Sequence, residues 1–362
     1  MKRIGLLTSG GDCPGLNAAL RGVAKALFDS SEEVEIYGIR DGYAGLIEDN
    51  VHRMMPADFS GILTLGGTVL GTSRRPFKEM RVVGEDRIDK VAAMKTTVAR
   101  RRLDALVILG GNGTHKTANL LREEGIPVVT LPKTIDNDLW GTDVTFGFHT
   151  AVDTATTVLD SLHSTATSHG RIFLVELMGH KAGWLTLYAG IAGGADGILL
   201  PEIPYDLEAI LRMLARRRRQ GKAFSILAVA EGALSREEAA MSKKERTAVW
   251  QRQGVLSAAA RLAKRLEEQE TGEIRICIPG HFQRGGSPCP YDRVLATRLG
   301  VEATQLIRAG RFGCMCAMVN GQVKAVPLEE VAGKLKLVPV DDSLVEQAKT
   351  IGVSFGDSVQ KI

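Results

Sequence analysis

A short apolar run that ends in glycines and leads straight into a helical pattern occurs twice in this chain. The first run covers residues 4–7 and reaches Gly10-Gly11, and the second covers residues 106–109 and reaches Gly110-Gly111. After the second run come apolar residues at helical spacing, and then another apolar run at residues 127–131. A strand, a helix and a second strand in this order predict parallel strands joined by a right-handed crossover. The pattern predicts an α/β fold with mainly parallel sheets.

More apolar runs predict further buried strands, at residues 172–177, 197–200, 225–230 and 274–278. The length of 362 residues exceeds that of a typical single core, so we expect two domains. A hydrophobic share of 44% and a charged share of 24% are typical of a water-soluble globular protein.

Charge and cysteine content narrow the expected partners and location. A net charge of +4 is too small to predict nucleic-acid binding, but it suits small anionic ligands. No apolar segment of the sequence approaches membrane-spanning length, so we expect no membrane partner. The five cysteines form no paired framework, and the basic N-terminus leads into a strand rather than a signal peptide. These features predict a cytoplasmic protein.

Both glycine loops stand where a phosphate group could bind. Glycines let the backbone approach phosphate oxygens, and a helix N-terminus adds N–H groups and partial positive charge. The first loop fits neither the P-loop pattern nor the dinucleotide fingerprint, because the spacing of Gly10, Gly11 and Gly15 differs from both. A tight turn without a ligand would explain one such loop. Two of them at strand ends in one domain favour phosphate binding.

Two carboxylates, Asp136 and Asp138, follow the apolar run at residues 127–131, with Lys133 and Thr134 beside them. If the segment is extended, the carboxylates face opposite ways. One could then deprotonate a hydroxyl while the other helps to hold Mg²⁺. An Asx-rich turn would explain the same residues without any chemistry. Taken with the glycine loops, the segment predicts phosphoryl transfer to an alcohol.

Arginine and histidine side chains extend the predicted anion site. Arg74 and Arg75 lie in a loop of small residues, and arginine is well suited to polyphosphates. Residues 280–286 hold His281 and Arg284 among glycines, a composition that could bind a sugar phosphate. Solvation of surface arginines and a structural hydrogen bond of His281 are the simpler explanations for each residue alone.

Several motifs together resemble the 6-phosphofructokinase family, of the phosphofructokinase A type and its mixed ATP/pyrophosphate subgroup. They occupy residues 9–18, 132–138, 178–179, 231–232 and 280–286, and their order and spacing cover nearly the whole chain. The resemblance implies Mg²⁺-dependent phosphorylation of the 1-hydroxyl of fructose 6-phosphate in glycolysis, with ATP as donor. It also implies a homodimer or homotetramer whose active sites are shared between subunits.

The same resemblance implies a phosphofructokinase-like architecture of two similar three-layer α/β domains with mainly parallel sheets. Residues 1–147 plus about 283–332 would form the donor (ATP)-binding domain. Residues from about 148 to 282 plus 333–362 would form the fructose 6-phosphate-binding domain.

The family's functional residues map onto this sequence position by position. The resemblance implies Asp136 as the base for the sugar hydroxyl, with Thr134 and Arg171 as further catalytic residues. It implies Asn112 and Asp138 as Mg²⁺ ligands. The implied ATP-binding residues are Gly11, Tyr43, Arg74, Arg75, Asn112, Gly113 and Thr114. The implied substrate-binding residues are Thr134, Ile135, Asp136, Arg171, Met178, Gly179, His180, Glu231, Arg275, His281, Phe282, Gln283 and Arg284. Of these, Arg171 and Arg275 match arginines that reach the 6-phosphate from a neighbouring subunit.

Two positions, Gly113 and Lys133, bear on the phosphoryl donor. Pyrophosphate-dependent members have an aspartate at the first position and a lysine at the second, whereas most ATP-dependent bacterial members have glycine at both. The glycine leaves room for the nucleotide, and the mixed pair resembles a bacterial subgroup that uses ATP. We therefore expect ATP, with pyrophosphate as the alternative donor.

Some positions depart from the family pattern. Asn112 stands where a carboxylate usually helps to hold Mg²⁺, and His180 stands where an arginine is usual. These departures favour the alternative of a non-catalytic regulatory subunit, whereas Asp136, Asp138 and Arg171 argue against it. The family's bacterial effector site is matched only in part, which leaves allosteric control open; its positions are Arg21, Lys25, Glu202 and, in place of an arginine, His163.

Overall fold

The chain folds into two compact units, each of which is described by itself. The computed structural model describes residues 1–30, 33–83 and 87–357. The first unit comprises Met1–Thr150 and Arg284–Lys336, and the second comprises Ala151–Gln283 and Leu337–Ile362. The end of the predicted sugar-phosphate domain, residues 358–362, lies outside the described residues.

Strands and helices alternate along most of the described chain. The strands are β1 (Lys2–Ser9), β2 (Val34–Ile39), β3 (Val51–Met54), β4 (Ala105–Gly110), β5 (Val128–Pro132), β6 (Ile172–Leu177), β7 (Gly197–Leu199), β8 (Ser225–Ala230), β9 (Ile274–Cys277), β10 (Cys314–Val319) and β11 (Gln322–Pro327). The α-helices are α1 (Leu16–Phe28), α2 (Tyr43–Glu48), α3 (Lys90–Arg101), α4 (Asn112–Glu123), α5 (Phe148–His169), α6 (Trp184–Ala192), α7 (Leu207–Arg219), α8 (Arg236–Ala240), α9 (Lys243–Gln253), α10 (Ala258–Glu267), α11 (Pro290–Arg308), α12 (Leu328–Val331) and α13 (Ser343–Thr350). Short 3-10 helices cover Pro56–Phe59, Ile62–Thr64, Phe77–Glu79 and Gly280–Arg284. None of the helices formed by the described residues has the length and apolar character needed to cross a bilayer.

The first unit is built on a seven-stranded sheet with strand order β11-β10-β5-β4-β1-β2-β3. The inner pairs are all parallel, and antiparallel pairing occurs only at the two edges of this described sheet, where β3 joins β2 and β11 joins β10. The register places Ser9 beside Gly110, and Gly110 beside Pro132. The loops that follow β1, β4 and β5 therefore start next to one another at one edge of the sheet.

The second unit is built on a four-stranded parallel sheet with strand order β7-β8-β6-β9. The residues of β8 are all buried, and so are nearly all those of β6, because helices cover the sheet. Residues from α7 and α10 supply much of this core, including Ile210, Leu214, Leu262 and Leu266. Strand β9 lies at one edge of the sheet.

The predicted α/β fold with mainly parallel sheets is confirmed. The two sheets are less alike than the prediction of similar domains suggested, since one has seven strands and the other four. Antiparallel strands at both edges account for part of the difference. Strands β10 and β11 are joined by the short turn at Asn320-Gly321, whereas helix α2 lies between β2 and β3.

Helix α1, which follows the first glycine loop, packs closely against α11. A Cβ atom at Gly22 would lie 2.9 Å from the carbonyl oxygen of Thr297, and one at Gly300 would lie 2.6 Å from that of Ala19. Because these are backbone atoms that cannot swing aside, only glycine permits this approach. The contact fixes the position of α1 and of the loop at its start.

We expect Gly22→Ala to lower the free energy of unfolding by about 1–3 kcal/mol, because the new methyl group would press on the backbone of Thr297. Gly113→Ala is the matched control, since this glycine is also helical and a Cβ there meets nothing within 4 Å. The control should gain up to about 1 kcal/mol from the higher helix propensity of alanine. Urea unfolding followed by circular dichroism measures both. Changes of the same sign would contradict the tight contact.

Candidate active site

Three cationic side chains converge on Gly11, in the loop between β1 and α1. A Cβ atom at Gly11 would lie 2.8 Å from Arg284 Nη1 and 3.1 Å from Arg74 Nη2. The Lys133 amine donates a hydrogen bond to the Gly11 carbonyl oxygen, and Arg284 Nη1 donates to that of Asp12 at 3.2 Å. The Nε of Arg284 is buried and has no hydrogen-bond partner among the described residues. Positive charge concentrated around a backbone that carries no side chain is suited to a phosphate group.

Lys133 ties this loop to the end of β5. Its side chain is buried, and burial lowers the pKa of its amine. Its backbone N–H donates to the carbonyl oxygen of Gly110 at 3.0 Å. Lys133 thus holds the ends of three neighbouring strands together, and its charge stays close to the predicted phosphate position.

The second glycine loop leads directly into α4, which begins at Asn112. The preceding Gly111 supplies no side-chain cap, so the first N–H groups of the helix face the loop. Asn112 Nδ2 donates to the carbonyl oxygen of Lys334 at 2.6 Å, which leaves its Oδ1 as the group that can meet a cation. A Cβ at Gly113 would meet nothing within 4 Å. The start of α4 therefore combines open space with donors suited to an anion.

The segment with the two carboxylates is bent at Ile135 and Asp136, so the extended case, one of the two considered from the sequence, does not apply. Asn137 has a φ of 51°, in the left-handed region, which breaks the alternation between Asp136 and Asp138. Its Oδ1 accepts hydrogen bonds from the Thr145 backbone N–H at 3.1 Å and from Lys336 Nζ at 3.1 Å. The carboxylate pair therefore lies on a bent segment, which is held by these hydrogen bonds to Asn137.

The negative charge of the two carboxylates is only partly balanced by Lys133 and Lys336. Asp138 is only 6% exposed, and burial, together with the charge of Asp136, raises the pKa of Asp138 to about 6. Oδ1 of Asp136 is buried without a hydrogen-bond partner among the described residues. No cluster of three or more His, Cys, Asp or Glu side chains that could hold a metal occurs in that part of the chain. Mg²⁺ is commonly held by one or two carboxylates plus phosphate oxygens, so the pair fits a cation that arrives with a phosphorylated ligand.

Lys336 is a residue of this site that the sequence analysis missed. Its amine donates to Asn137 Oδ1 and to the carbonyl oxygens of Thr142 at 2.9 Å and Asp143 at 2.8 Å. Burial lowers the pKa of this amine to about 8. Nothing in the local sequence marks this lysine, because its partners lie 193 to 199 positions earlier in the chain.

In the second unit, Glu231 organises the loop after β6. Its Oε1 accepts hydrogen bonds from the backbone N–H groups of Gly179 at 3.2 Å and His180 at 2.7 Å. His180 has a φ of 53° and an exposed side chain. The loop brings together four of the residues that were predicted to bind the substrate, namely Met178, Gly179, His180 and Glu231.

Arg171 and Arg275 meet at one carboxylate, that of Glu273. Arg171 Nε donates to Glu273 Oε2 at 2.8 Å, and Arg275 Nη2 pairs with Oε1 of the same side chain. Arg171 directly precedes β6, and Arg275 lies on the neighbouring strand β9. The two guanidinium groups are therefore close enough to share one anionic group.

Some predicted contact residues have side chains that serve the fold instead. Tyr43 is 1% exposed and its hydroxyl donates to the Thr114 carbonyl oxygen at 2.8 Å, while the Thr114 hydroxyl donates to Ser9 at 3.3 Å. Ile135 is fully buried. Gln283, also fully buried, accepts from the Met178 N–H and donates to the Gly280 carbonyl oxygen. Side chains so placed support the packing of their own unit, and their ligand contacts stay predictions.

The remaining predicted residues differ in what they contact. Arg75 is exposed and pairs with Glu48 at 3.7 Å, so it does not join Arg74 at Gly11. His281 and Phe282 are exposed, Phe282 to 80%. Thr134 is buried, and its hydroxyl accepts from the Asp136 N–H at 3.1 Å, which positions that carboxylate.

Cys13 lies fully buried at the end of the first glycine loop. Its thiol donates to the Phe146 carbonyl oxygen at 3.4 Å, and burial raises its pKa to about 12. A Cβ at Gly147 would lie 2.8 Å from the Cys13 Cβ. The thiol fills the space under the loop and stays protonated.

Comparison with known proteins gives one consistent family. The family model described as Phosphofructokinase matches residues 3–307. An ATP-dependent 6-phosphofructokinase from Spirochaeta thermophila is 54% identical over 361 residues, which cover 99% of this chain and 98% of the relative. An ATP-dependent 6-phosphofructokinase 3 from Bacteroides thetaiotaomicron is 46% identical over 355 residues, covering 98% of this chain and 100% of the relative. The crystal structure of Pichia pastoris phosphofructokinase in the T-state matches with a TM-score of 0.76 and 31% identity, over 97% of this chain but only 36% of that much longer chain.

The raised pKa of Asp138 gives a test of the carboxylate pair. The folded state binds this proton more tightly than the unfolded state, so the resulting stability is present below about pH 4 and is lost as the pH rises through about 6. Asp138→Asn lacks the titration. Without Mg²⁺, its unfolding free energy relative to wild type should therefore rise by up to about 3 kcal/mol between about pH 4 and pH 7. Urea unfolding across this range measures the difference. Parallel pH profiles of the two proteins would contradict a raised pKa for the buried Asp138 carboxylate.

Proposed function

The chain belongs to the phosphofructokinase family, and we infer that it is an ATP-dependent 6-phosphofructokinase, which phosphorylates the 1-hydroxyl of fructose 6-phosphate in glycolysis. Relatives at 54% and 46% identity over nearly their full lengths carry that name. The observation on this chain that supports it best is the convergence of Arg74, Arg284 and Lys133 on Gly11, in the unit that also carries Asp136. The three cationic side chains suit the phosphates of a donor, and the carboxylate can accept the proton of a hydroxyl nucleophile.

The first unit is proposed to bind ATP. Its phosphates would lie along the Gly11 loop and the start of α4, with Arg74, Asn112 and Gly113 beside them. The open space next to Gly113 supports a nucleotide, because an aspartate there would add bulk and negative charge. Lys133 is bonded to the Gly11 carbonyl oxygen, a role that suits a phosphate loop with either donor. The names of the relatives favour ATP over pyrophosphate.

Mg²⁺ is the metal that the residues of this unit fit. Asp138 and Asp136 offer carboxylate oxygens, one of them without a hydrogen-bond partner in the described chain, and Asn112 offers an amide oxygen. When bound with ATP, Mg²⁺ would neutralise the phosphate charge. Replacement of the usual carboxylate by Asn112 removes one negative charge from this set.

Asp136 is proposed to accept the proton of the sugar 1-hydroxyl. As the proton moves to the carboxylate, the hydroxyl oxygen forms a bond to the transferred phosphorus, and the bond to the leaving ADP oxygen breaks. Thr134 holds the Asp136 backbone N–H. Arg74 and Arg284 would stabilise the charge on the transferred group, since their guanidinium groups already lie near Gly11.

The second unit is proposed to bind the sugar phosphate. Met178, Gly179 and His180 follow β6, and Glu231, which follows β8, accepts hydrogen bonds from two of their backbone N–H groups. His281 and Phe282 are exposed at a short 3-10 helix. His180 in place of an arginine would make the phosphate contact weaker when the imidazole is neutral. The loops of this unit thus retain polar groups for a sugar and cationic ones for its phosphate.

Arg171 and Arg275 are proposed to reach the 6-phosphate bound to a neighbouring subunit, in a homodimer or homotetramer. An apolar surface around the edge strand β9 supports a subunit contact, because Ile276, Ile278 and Phe282 are 42%, 51% and 80% exposed. The cytoplasmic location stays a prediction, and so does the extent of allosteric control. At the partly matched effector site, the Glu202 carboxylate already accepts hydrogen bonds from two backbone N–H groups, those of Gly183 and Val338.

The donor assignment can be tested with the purified protein at fixed fructose 6-phosphate and Mg²⁺. We expect phosphorylation with ATP at a kcat/KM at least ~100-fold above that with pyrophosphate, since Gly113 leaves space for the nucleotide. A coupled assay for fructose 1,6-bisphosphate measures both donors. Activity with pyrophosphate alone would refute ATP as the donor, and inactivity with every donor would support the regulatory-subunit alternative.

Substitution of the proposed base tests the mechanism. Asp136→Asn should lower kcat by about 10²–10⁴-fold, because the amide cannot accept the hydroxyl proton. Binding of fructose 6-phosphate, measured by calorimetry, should change little. Glu48→Gln is the control, since this carboxylate is exposed, is far from the loop in sequence and pairs with Arg75. Retention of full activity by Asp136→Asn would exclude this aspartate as the base.

A further inference from the structure

The last residues of the first unit, 334–336, lie along both loops of the proposed donor site. The Lys334 carbonyl oxygen accepts from Asn112 Nδ2 at 2.6 Å. Leu335 forms an antiparallel bridge with Leu139, and the Lys336 N–H donates to the Asp138 carbonyl oxygen at 2.8 Å. One short segment is therefore bonded to the start of α4 and to the carboxylate loop.

The Lys336 side chain adds a second set of bonds to that loop. Its ammonium group donates to the side-chain oxygen of Asn137 and to the carbonyl oxygens of Thr142 and Asp143. These acceptors stand on both arms of the turn. The lysine thus connects the arm that carries the carboxylates to the arm that returns to the sheet.

Through Asn137, this connection affects the positions of the two carboxylates. The left-handed backbone of Asn137 sets the directions of Asp136 and Asp138 on either side, and a non-glycine residue holds such a conformation only with local support. That support consists of the hydrogen bonds from the Thr145 N–H and the Lys336 ammonium to Oδ1. Loss of one of them would let the turn relax and move both carboxylates.

We propose that Lys336 is a positioning residue for phosphoryl transfer, which holds the turn at Asn137 so that Asp136 and Asp138 keep their reactive placement. The inference rests on the proposed function. It differs from direct phosphate binding, because the ammonium group donates to three oxygens of the turn itself. A positioning role predicts a loss in kcat with little change in KM for either substrate, whereas a phosphate contact predicts a higher KM for ATP.

Steady-state kinetics of Lys336→Met and Lys336→Arg test this role. Lys336→Met should lower kcat about 10–100-fold with both KM values within about threefold of wild type, because small misplacements of reacting groups are costly. Lys336→Arg keeps a cationic donor. Its loss in log kcat should therefore be smaller than that of Lys336→Met by at least about a third. Lys324→Met, at an exposed position of β11 in the same unit, is the control and should match wild type. An unchanged kcat, or a loss confined to KM, would overturn the proposal.

Asn137→Gly provides a second arm that does not depend on how well Lys336→Met folds. Glycine accepts the left-handed backbone but removes the shared acceptor. If both residues act through one bond, the double variant should lose no more kcat than the worse single variant, within about twofold. Multiplied losses in the double variant would overturn the coupling. Activity of the wild-type enzyme is measured separately, so failure of the proposed function would show there and not in these comparisons.

Discussion

A buried ammonium group bonded to a backbone carbonyl holds the first unit's site in place. Lys133 loses hydration at the end of β5, and its bond to the Gly11 oxygen recovers only part of that cost. Arg74 and Arg284 add two more positive charges at the same glycine. Like charges held close together repel one another, so a bound anion would relieve the repulsion. The glycine without a side chain leaves that anion a place to bind.

The apolar runs and glycine loops were sufficient to predict the parallel strands other than β2 and β10, because buried strands are rich in β-branched and aliphatic residues. Family motifs were sufficient to find Asp136, Asp138 and Gly11. They could not reveal that Tyr43, Ile135 and Gln283 are buried, since burial depends on packing against distant elements. The sequence could offer the turn at Asn137 only as one of two alternatives, because one of the bonds that hold it comes from Lys336, 199 positions away.

In the second unit, Glu273 lies between Arg171 and Arg275, the two arginines that are proposed to bind a phosphate group. A carboxylate bound by Arg171 and Arg275 has the same charge sign and similar acceptor geometry as one face of a phosphate. Because Glu273 is 45% exposed at its side chain, these pairs are weak and can exchange partners at low cost. The Glu273 carboxylate thus keeps both guanidinium groups together while no more tightly binding anion is present.

The buried Cys13 beside the phosphate loop has a consequence for survival under oxidative stress. Peroxides and electrophiles attack the thiolate form, and a pKa of about 12 leaves almost none of it at neutral pH. The sulfur atom fills the space under the glycine loop, and its protonated form resists oxidation. A glycolytic step built on this loop would continue while exposed thiols elsewhere in the cell are already oxidised.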